Sequence, residues 1–110
     1  MKNLQTFTSQ IHISLVKEGS DEMYSADDIK CICKKYCNDS NWAVSFANAE
    51  FIFPNGTAPG VIITSIITCP LDVGISHSTE LSKTIMREIP LPNVKMVFAD
   101  ETVIIEREDL

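Results

Sequence analysis

The sequence predicts a two-layer α+β sandwich, with two helices on one face of a mainly antiparallel sheet. The mostly β-branched apolar run at 61–68 is typical of a strand that lies buried between two neighbours. Segments with strand-like and helix-like apolar spacing alternate along the rest of the chain. The 110 residues, 45% of them hydrophobic, suffice for one core without disulfides or metal ions. We therefore expect a single α+β domain over residues 1–110.

Hydrophobic periodicity predicts the first strand and the first helix. Apolar and polar residues alternate from Phe7 to Val16, as in a half-buried strand. Ser25 is then a suitable N-cap, and the acidic residues that follow it favour the first turn of a helix. We expect this helix to end near Cys37. Its apolar stripe consists of Ile29, Ile32, Cys33, Tyr36 and Cys37.

A wide hairpin is expected between the second strand, Trp42 to Phe53, and the central strand. The aromatic residues of the second strand change parity midway, so we expect a β-bulge between Asn48 and Glu50 to bring them onto one face. The segment 54–60 is rich in proline, glycine and asparagine, which favour turns. It therefore predicts the connection to the central strand.

The last third of the sequence predicts a helix followed by a C-terminal hairpin. We expect an irregular loop after Pro70 and then a helix from Ser78 to Glu88, which Pro90 ends. Strands are expected at 93–98 and 102–106. The order β-α-β-β-α-β-β matches a ferredoxin-like sandwich with an extra C-terminal strand.

The four cysteines predict no metal centre and no disulfide. Three of them have the spacing C-x-C-x₃-C, which differs from the C-x₂-C pattern of zinc and redox motifs. Cys33 and Cys37 share the apolar stripe of the first helix, so we expect them in the core. Cys31 points away from that stripe and is expected to be an exposed, reactive thiol. The sequence also predicts no cofactor.

Two groups of residues are candidate sites. One is the uncovered face of the sheet, which suits a second copy of the chain in a homodimer, although an ordinary solvated face is the alternative. Its residues are His12, Ile62, Thr64, Ile66 and Thr68. The other is expected at the N-terminus of the second helix, where free N–H groups bind anions, although capping alone explains its serines. Its residues are Ser76, His77, Ser78 and Thr79.

Charge and the lack of a catalytic motif shape the functional hypothesis. A net charge of −6 and a pI near 4.7 argue against nucleic acid or an anionic membrane as partner. We expect a non-enzymatic module that binds another protein, such as an inhibitor or immunity-type neutraliser of a basic partner. A sensor or sequestering protein for a small anionic ligand and a thiol-dependent enzyme are the alternatives. The absence of an apolar signal segment predicts a cytoplasmic location.

Overall fold

A computed structural model describes residues 1–110 and confirms the α+β sandwich, with two helices on one side of a five-stranded sheet. The elements are β1 (Thr6–Ser14), α1 (Ala26–Ser40), β2 (Ser45–Phe53), β3 (Gly56–Thr68), α2 (Leu71–Glu88), β4 (Asn93–Phe98), β5 (Thr102–Glu106) and a 3-10 helix (Arg107–Asp109). The strand order is β2-β3-β1-β4-β5 and every neighbouring pair is antiparallel. This is the ferredoxin-like order with β5 added beside β4. None of the helices combines the length and the apolar character that a membrane span requires.

Strands β1 and β3 form the centre of the sheet. They pair along the whole of β1, from Thr6 opposite Thr68 to Ser14 opposite Gly60. Alternate side chains point towards the helices, where 18 buried hydrophobic residues form one core. The other side chains form the face that neither helix covers, called the open sheet face below. Its main members are Thr8, Gln10, His12, Ser14, Phe51, Phe53, Ile62, Thr64, Ile66, Thr68, Lys95 and Ile104.

Helix α1 forms where the sequence predicts it. The Ser25 side chain accepts a hydrogen bond from the Asp28 backbone N–H at 3.2 Å, which confirms the N-cap. The helix continues to Ser40, one turn beyond the expected end, and Asn41 then adopts a left-handed conformation with φ 57°. Asparagine tolerates that conformation, so it ends the helix and redirects the chain towards β2.

Helix α2 packs closely against β1 through small side chains. A Cβ atom at Gly74 would overlap the ring of Phe7, which is buried in the core. One turn further on, the hydroxyls of Ser78 and Ser9 form a buried hydrogen bond of 2.8 Å. Because Gly74, Ser78 and Ser9 have small side chains or none, the helix can lie directly on the strand.

The C-terminal end of α2 is held by a residue that follows β5. One guanidinium nitrogen of Arg107, Nη1, donates to the carbonyl oxygens of Met86 at 3.0 Å and Leu91 at 2.8 Å. The carbonyl oxygen of Ile89 lies 3.4 Å from the same nitrogen. Carbonyl groups at the end of a helix lack intrahelical donors, so the arginine satisfies groups that would otherwise require water.

The predicted start of the second helix is wrong. The expected loop after Pro70 is helical, and α2 begins at Leu71 instead of Ser78. Leu71 and Val73 are exposed, so the apolar residues of the first turns do not form one buried stripe. The buried residue of these turns is Gly74, which carries no side chain for a hydrophobic pattern to register.

The predicted β-bulge and wide hairpin are also wrong. Strands β2 and β3 pair without interruption from Ser45 opposite Thr64 to Phe53 opposite Gly56, and residues 54–55 alone form the turn. The change of parity in β2 therefore divides its aromatic residues between the two faces of the sheet. Phe46 packs against the core, whereas Phe51 lies on the open sheet face.

We expect Gly74→Ala to destabilise the fold, although alanine is normally favoured over glycine within a helix by up to about 1 kcal/mol. The added methyl group must displace Phe7 or the helix, and overpacking of this kind costs about 1–3 kcal/mol. Urea unfolding measures the difference. Ser76→Ala, at an exposed position of the same helix, is the control and should change the free energy of unfolding by less than about 0.5 kcal/mol. A Gly74→Ala protein as stable as the wild type would contradict the close contact.

Candidate functional site

Tyr36, Trp42 and His77 form an aromatic cluster where α1, α2 and the segment before β2 meet. The rings of Trp42 and His77 are stacked, with centroids 4.4 Å apart and planes inclined by 11°. The Tyr36 hydroxyl lies 2.8 Å from Nδ1 of His77. The planes of the Tyr36 and His77 rings are nearly perpendicular, at 83°, and their centroids are 6.0 Å apart. The histidine is therefore held from two sides.

Local structure explains how the cluster is assembled. The left-handed Asn41 ends α1 and directs Trp42 back towards the core. The Trp42 ring packs against Phe7 at 6.2 Å between centroids, and Phe7 packs in turn against Phe98 at 6.1 Å. Such tilted aromatic pairs contribute about 0.5–1.5 kcal/mol beyond the area that they bury. The position of the indole is thus fixed by the centre of the sheet.

The Tyr36 phenol stays protonated at neutral pH. Burial raises its pKa above the usual 10.0, and the nearby Glu80 carboxylate adds to the effect, whereas the Ser40 hydroxyl partly opposes it. A protonated phenol can donate to Nδ1, which places the proton of a neutral His77 ring on Nε2. The cluster can therefore hold the histidine in one tautomer.

The largest cavity lies beside Trp42, between α1 and the start of β2. Its volume of about 470 Å³ is in the range of about 300–1,000 Å³ that is typical of small-molecule sites. Most of its walls are apolar and two lysines lie on the α1 side. The lining residues are Lys30, Cys33, Lys34, Cys37, Trp42, Ala43, Val44 and Phe46. We call it the Trp42 cavity. The Nε1 atom of Trp42 is buried without a hydrogen-bond partner.

A second cavity of about 280 Å³ lies between the two helices and borders Tyr36. It is more polar than the Trp42 cavity and contains two carboxylates. Its lining residues are Ile32, Lys35, Tyr36, Asp39, Ser40, Thr84 and Glu88. Tyr36 and Trp42 therefore link the His77 ring to two different cavities.

The thiols in this region are poor nucleophiles at neutral pH. Burial raises the pKa of Cys33 to about 12, and the neighbouring Cys37 adds to the effect. Burial likewise raises the pKa of Cys37, although a backbone hydrogen bond from Val44 partly opposes this. Only a thiolate reacts readily as a nucleophile. The side-chain hydrogen bonds of His77 and His12 go to Tyr36 and Gln10, so neither histidine is paired with a thiol.

The geometry expected of the cluster at residues 76–79 is wrong. Because α2 begins at Leu71, the backbone N–H groups of these residues lie within the helix and not at its free N-terminus. Ser78 is buried and bonded to Ser9, whereas Ser76 is exposed and Thr79 half-buried. Of the four residues, His77 belongs to the aromatic cluster. Ligand binding by the four together stays a prediction.

The structure places the five residues expected on the uncovered face of the sheet together on the open sheet face. His12 lies opposite Ile62, and Ile66 is 68% exposed. The His12 ring stacks on Phe51 at 5.8 Å between centroids, and its Nε2 lies 2.9 Å from Oε1 of Gln10. Burial and the charge of Lys95 lower the pKa of His12 below 6.5. The role of the five residues as an interface stays a prediction.

Comparison with known proteins gives a likeness of fold. No family model matches the sequence, and no curated protein matches it significantly. Two solved structures match almost end to end: a phage SAM lyase in complex with S-methyl-5'-thioadenosine, with a TM-score of 0.73, and a phage SAM lyase in the apo state, with a TM-score of 0.74. Each is 16% identical to this chain, and each alignment covers 98% of this chain and 96% of the other.

These matches overturn the expected function. The sequence predicted a non-enzymatic inhibitor or immunity-type module, and that hypothesis is wrong because the proteins that share the whole fold are lyases that act on a small molecule. The hypothesis rested on acidic charge and on the lack of a catalytic motif. Neither property distinguishes a binding module from an enzyme whose site is assembled from distant segments.

Thiol labelling tests the environment assigned to the helix cysteines. A disulfide reagent added to the native protein at neutral pH should modify the exposed Cys31 first and Cys37 more slowly. Cys33 should react only after unfolding, because it is 3% exposed and its pKa is about 12. Mass spectrometry of peptides identifies the labelled thiol. Cys31→Ser should abolish the fast phase, and rapid labelling of Cys33 in the folded protein would contradict the assignment.

Proposed function

We propose that this protein is an enzyme that cleaves S-adenosylmethionine and releases S-methyl-5'-thioadenosine. The observation that carries the proposal is the match to SAM lyases over 98% of this chain and 96% of theirs. One of these structures holds S-methyl-5'-thioadenosine. The match extends over both layers of the sandwich, so it includes every element that surrounds the Trp42 cavity.

The chemistry of this reaction explains why the chain needs no strongly activated nucleophile. The sulfur of S-adenosylmethionine is a positively charged sulfonium and is already a good leaving group. When its bond to the amino-acid portion breaks, the electron pair stays with sulfur and a neutral thioether forms. The carboxylate of the amino-acid portion can form a bond to the same carbon as the bond to sulfur breaks, which closes a lactone ring and requires no proton to be removed. The protein must bind and orient the substrate and exclude water.

The Trp42 cavity is the place that suits such a substrate best. Its aromatic and aliphatic walls, Trp42, Val44 and Phe46, can contact an adenosyl group and a thioether. Lys30 and Lys34 can bind the carboxylate of the amino-acid portion. The apolar walls also favour a reaction in which the positive charge on sulfur disappears.

The charge of the whole protein supports a cationic substrate. At neutral pH the net charge of −6 attracts S-adenosylmethionine, which carries one net positive charge. It does not attract the neutral thioether product. We place the protein in the cytoplasm, where its four free cysteines stay reduced. The same acidic charge argues against binding to nucleic acid or to an anionic membrane.

Incubation of the purified protein with S-adenosylmethionine tests the proposal. We expect S-methyl-5'-thioadenosine to accumulate, as measured by chromatography with mass detection. Cys37→Phe places a large side chain in the Trp42 cavity and should lower kcat/KM at least about tenfold, which corresponds to about 1.4 kcal/mol. Cys31→Phe is the matched control, because Cys31 lies on the same helix, is exposed and does not line the cavity.

Calorimetric titration with S-methyl-5'-thioadenosine separates binding from catalysis. Binding by the wild type that Cys37→Phe weakens would support the Trp42 cavity as the site. Binding without cleavage of S-adenosylmethionine would contradict lyase activity. A folded wild-type protein that neither binds the thioether nor cleaves the sulfonium would contradict the whole proposal.

A further inference from the structure

The polar cavity between the two helices is a groove that α1 and α2 line together, called the inter-helix groove below. Its volume of about 280 Å³ equals that of roughly nine water molecules at about 30 Å³ each, which suits a ligand of about ten non-hydrogen atoms. Because β1 and β3 are antiparallel and each is followed by a helix, the two helices run in opposite directions. Asp39 near the end of α1 and Glu88 at the end of α2 therefore line opposite ends of the groove.

Three charged side chains line the inter-helix groove, and none of them has an ion-pair partner. Lys35 and Asp39 lie one turn apart on α1, and Glu88 is the last residue of α2. The two ion pairs of the chain involve other residues, and Arg87, the neighbour of Glu88, is bound to Glu80 at 3.1 Å. The groove thus offers one free cation and two free anions to a ligand.

The two hydroxyl groups of the groove act as hydrogen-bond acceptors towards a ligand. Ser40 Oγ donates its proton to the backbone carbonyl of Tyr36 at 2.6 Å, and Thr84 Oγ1 donates to that of Glu80 at 2.7 Å. A hydroxyl group has one proton, so these two oxygens have only lone pairs left for a ligand. Such acceptors suit ammonium groups, which have donors and no acceptor.

Fold stability does not explain the position of Asp39. This residue lies in the last turn of α1, which contains no basic residue. The dipole at this end of a helix favours cations and disfavours carboxylates. An ammonium group of a ligand would be favoured there by the carboxylate and by the dipole together. The net charge of −6 also attracts a cationic ligand to the protein.

We propose that the inter-helix groove binds a basic α-amino acid such as lysine or ornithine. Such a ligand carries one carboxylate and two ammonium groups, which is the reverse of the charges in the groove. Lys35 binds its carboxylate, Asp39 binds its α-ammonium group and Glu88 binds the ammonium group of its side chain. Ile32 contacts the methylene groups between them. The inference goes beyond the proposed lyase activity and does not depend on it.

Calorimetric titration with L-lysine and three analogues tests the pairing of charges. L-Norleucine lacks the side-chain ammonium group, Nα-acetyl-L-lysine lacks the charge of the α-amino group, and cadaverine lacks the carboxylate. We expect each analogue to bind at least about fivefold more weakly than L-lysine, because each leaves one charged side chain of the groove without a partner.

Variants assign each pairing to one residue. Glu88→Gln should weaken the binding of L-lysine at least about fivefold and leave that of L-norleucine unchanged, because only L-lysine has a group that bonds to Glu88. Asp39→Asn should likewise remove the preference for L-lysine over its Nα-acetyl derivative. Glu18→Gln is the matched control, because Glu18 is exposed, carries the same charge and does not line the groove. It should leave all four affinities unchanged.

Each outcome of the titrations supports or overturns the basic amino acid as ligand. Circular dichroism and a cooperative urea transition establish that each variant is folded, and Asp39→Asn keeps the test decisive if Glu88→Gln does not fold. A folded wild type that binds no L-lysine at millimolar concentration overturns the proposal. Cadaverine that binds as tightly as L-lysine also overturns it, as does an equal effect of Glu88→Gln and Glu18→Gln, because both indicate a general attraction of cations. None of these titrations uses S-adenosylmethionine, so their failure would leave the proposed lyase activity untouched.

Discussion

The contact between α2 and β1 at Gly74 and Phe7 determines the position of most other parts of the molecule. Because no Cβ atom separates them, the helix lies directly on the central strand. The buried hydrogen bond between Ser9 and Ser78 fixes the next turn, which carries His77 towards α1. Phe7 also contacts the Trp42 ring, on which His77 stacks. One close helix–strand contact thus aligns both halves of the aromatic cluster and one wall of the Trp42 cavity.

The sequence predicted those parts of the fold in which local pattern and tertiary packing agree. The bounds of β4 and β5, the N-cap of α1 and the order of the elements follow from periodicity and capping. The prediction failed in the first turns of α2, where Gly74 makes the decisive contact and leaves no hydrophobic signal. The prediction of a β-bulge in β2 was wrong because Phe51 and Phe53 lie on the open sheet face. The solvated face of an antiparallel sheet is commonly polar, so aromatic residues there are not expected from the pattern.

The candidate site was harder to predict than the fold. The sequence pattern indicates His77 only as a residue near a helix N-terminus, because its two partners, Tyr36 and Trp42, come from segments about 40 residues away and meet it only after folding. By periodicity alone, Tyr36 belongs to an apolar stripe and Trp42 to a strand. A sulfonium substrate brings its own leaving group, so an enzyme that cleaves it can lack the local motifs that identify hydrolases or thiol enzymes. The hypothesis of a non-enzymatic module followed from that missing signal.

The bonds from Arg107 to the end of α2 have a consequence for the order in which the protein opens and closes. They join a helix that is complete by residue 88 to a side chain that follows the last strand. The last turn of α2 therefore cannot acquire its full complement of donors until β5 has docked on β4. In hydrogen-exchange terms, the final turn of α2 and the edge strand should open together as one cooperative unit. The backbone amides around His77, in the part of α2 that packs on Phe7, should exchange more slowly.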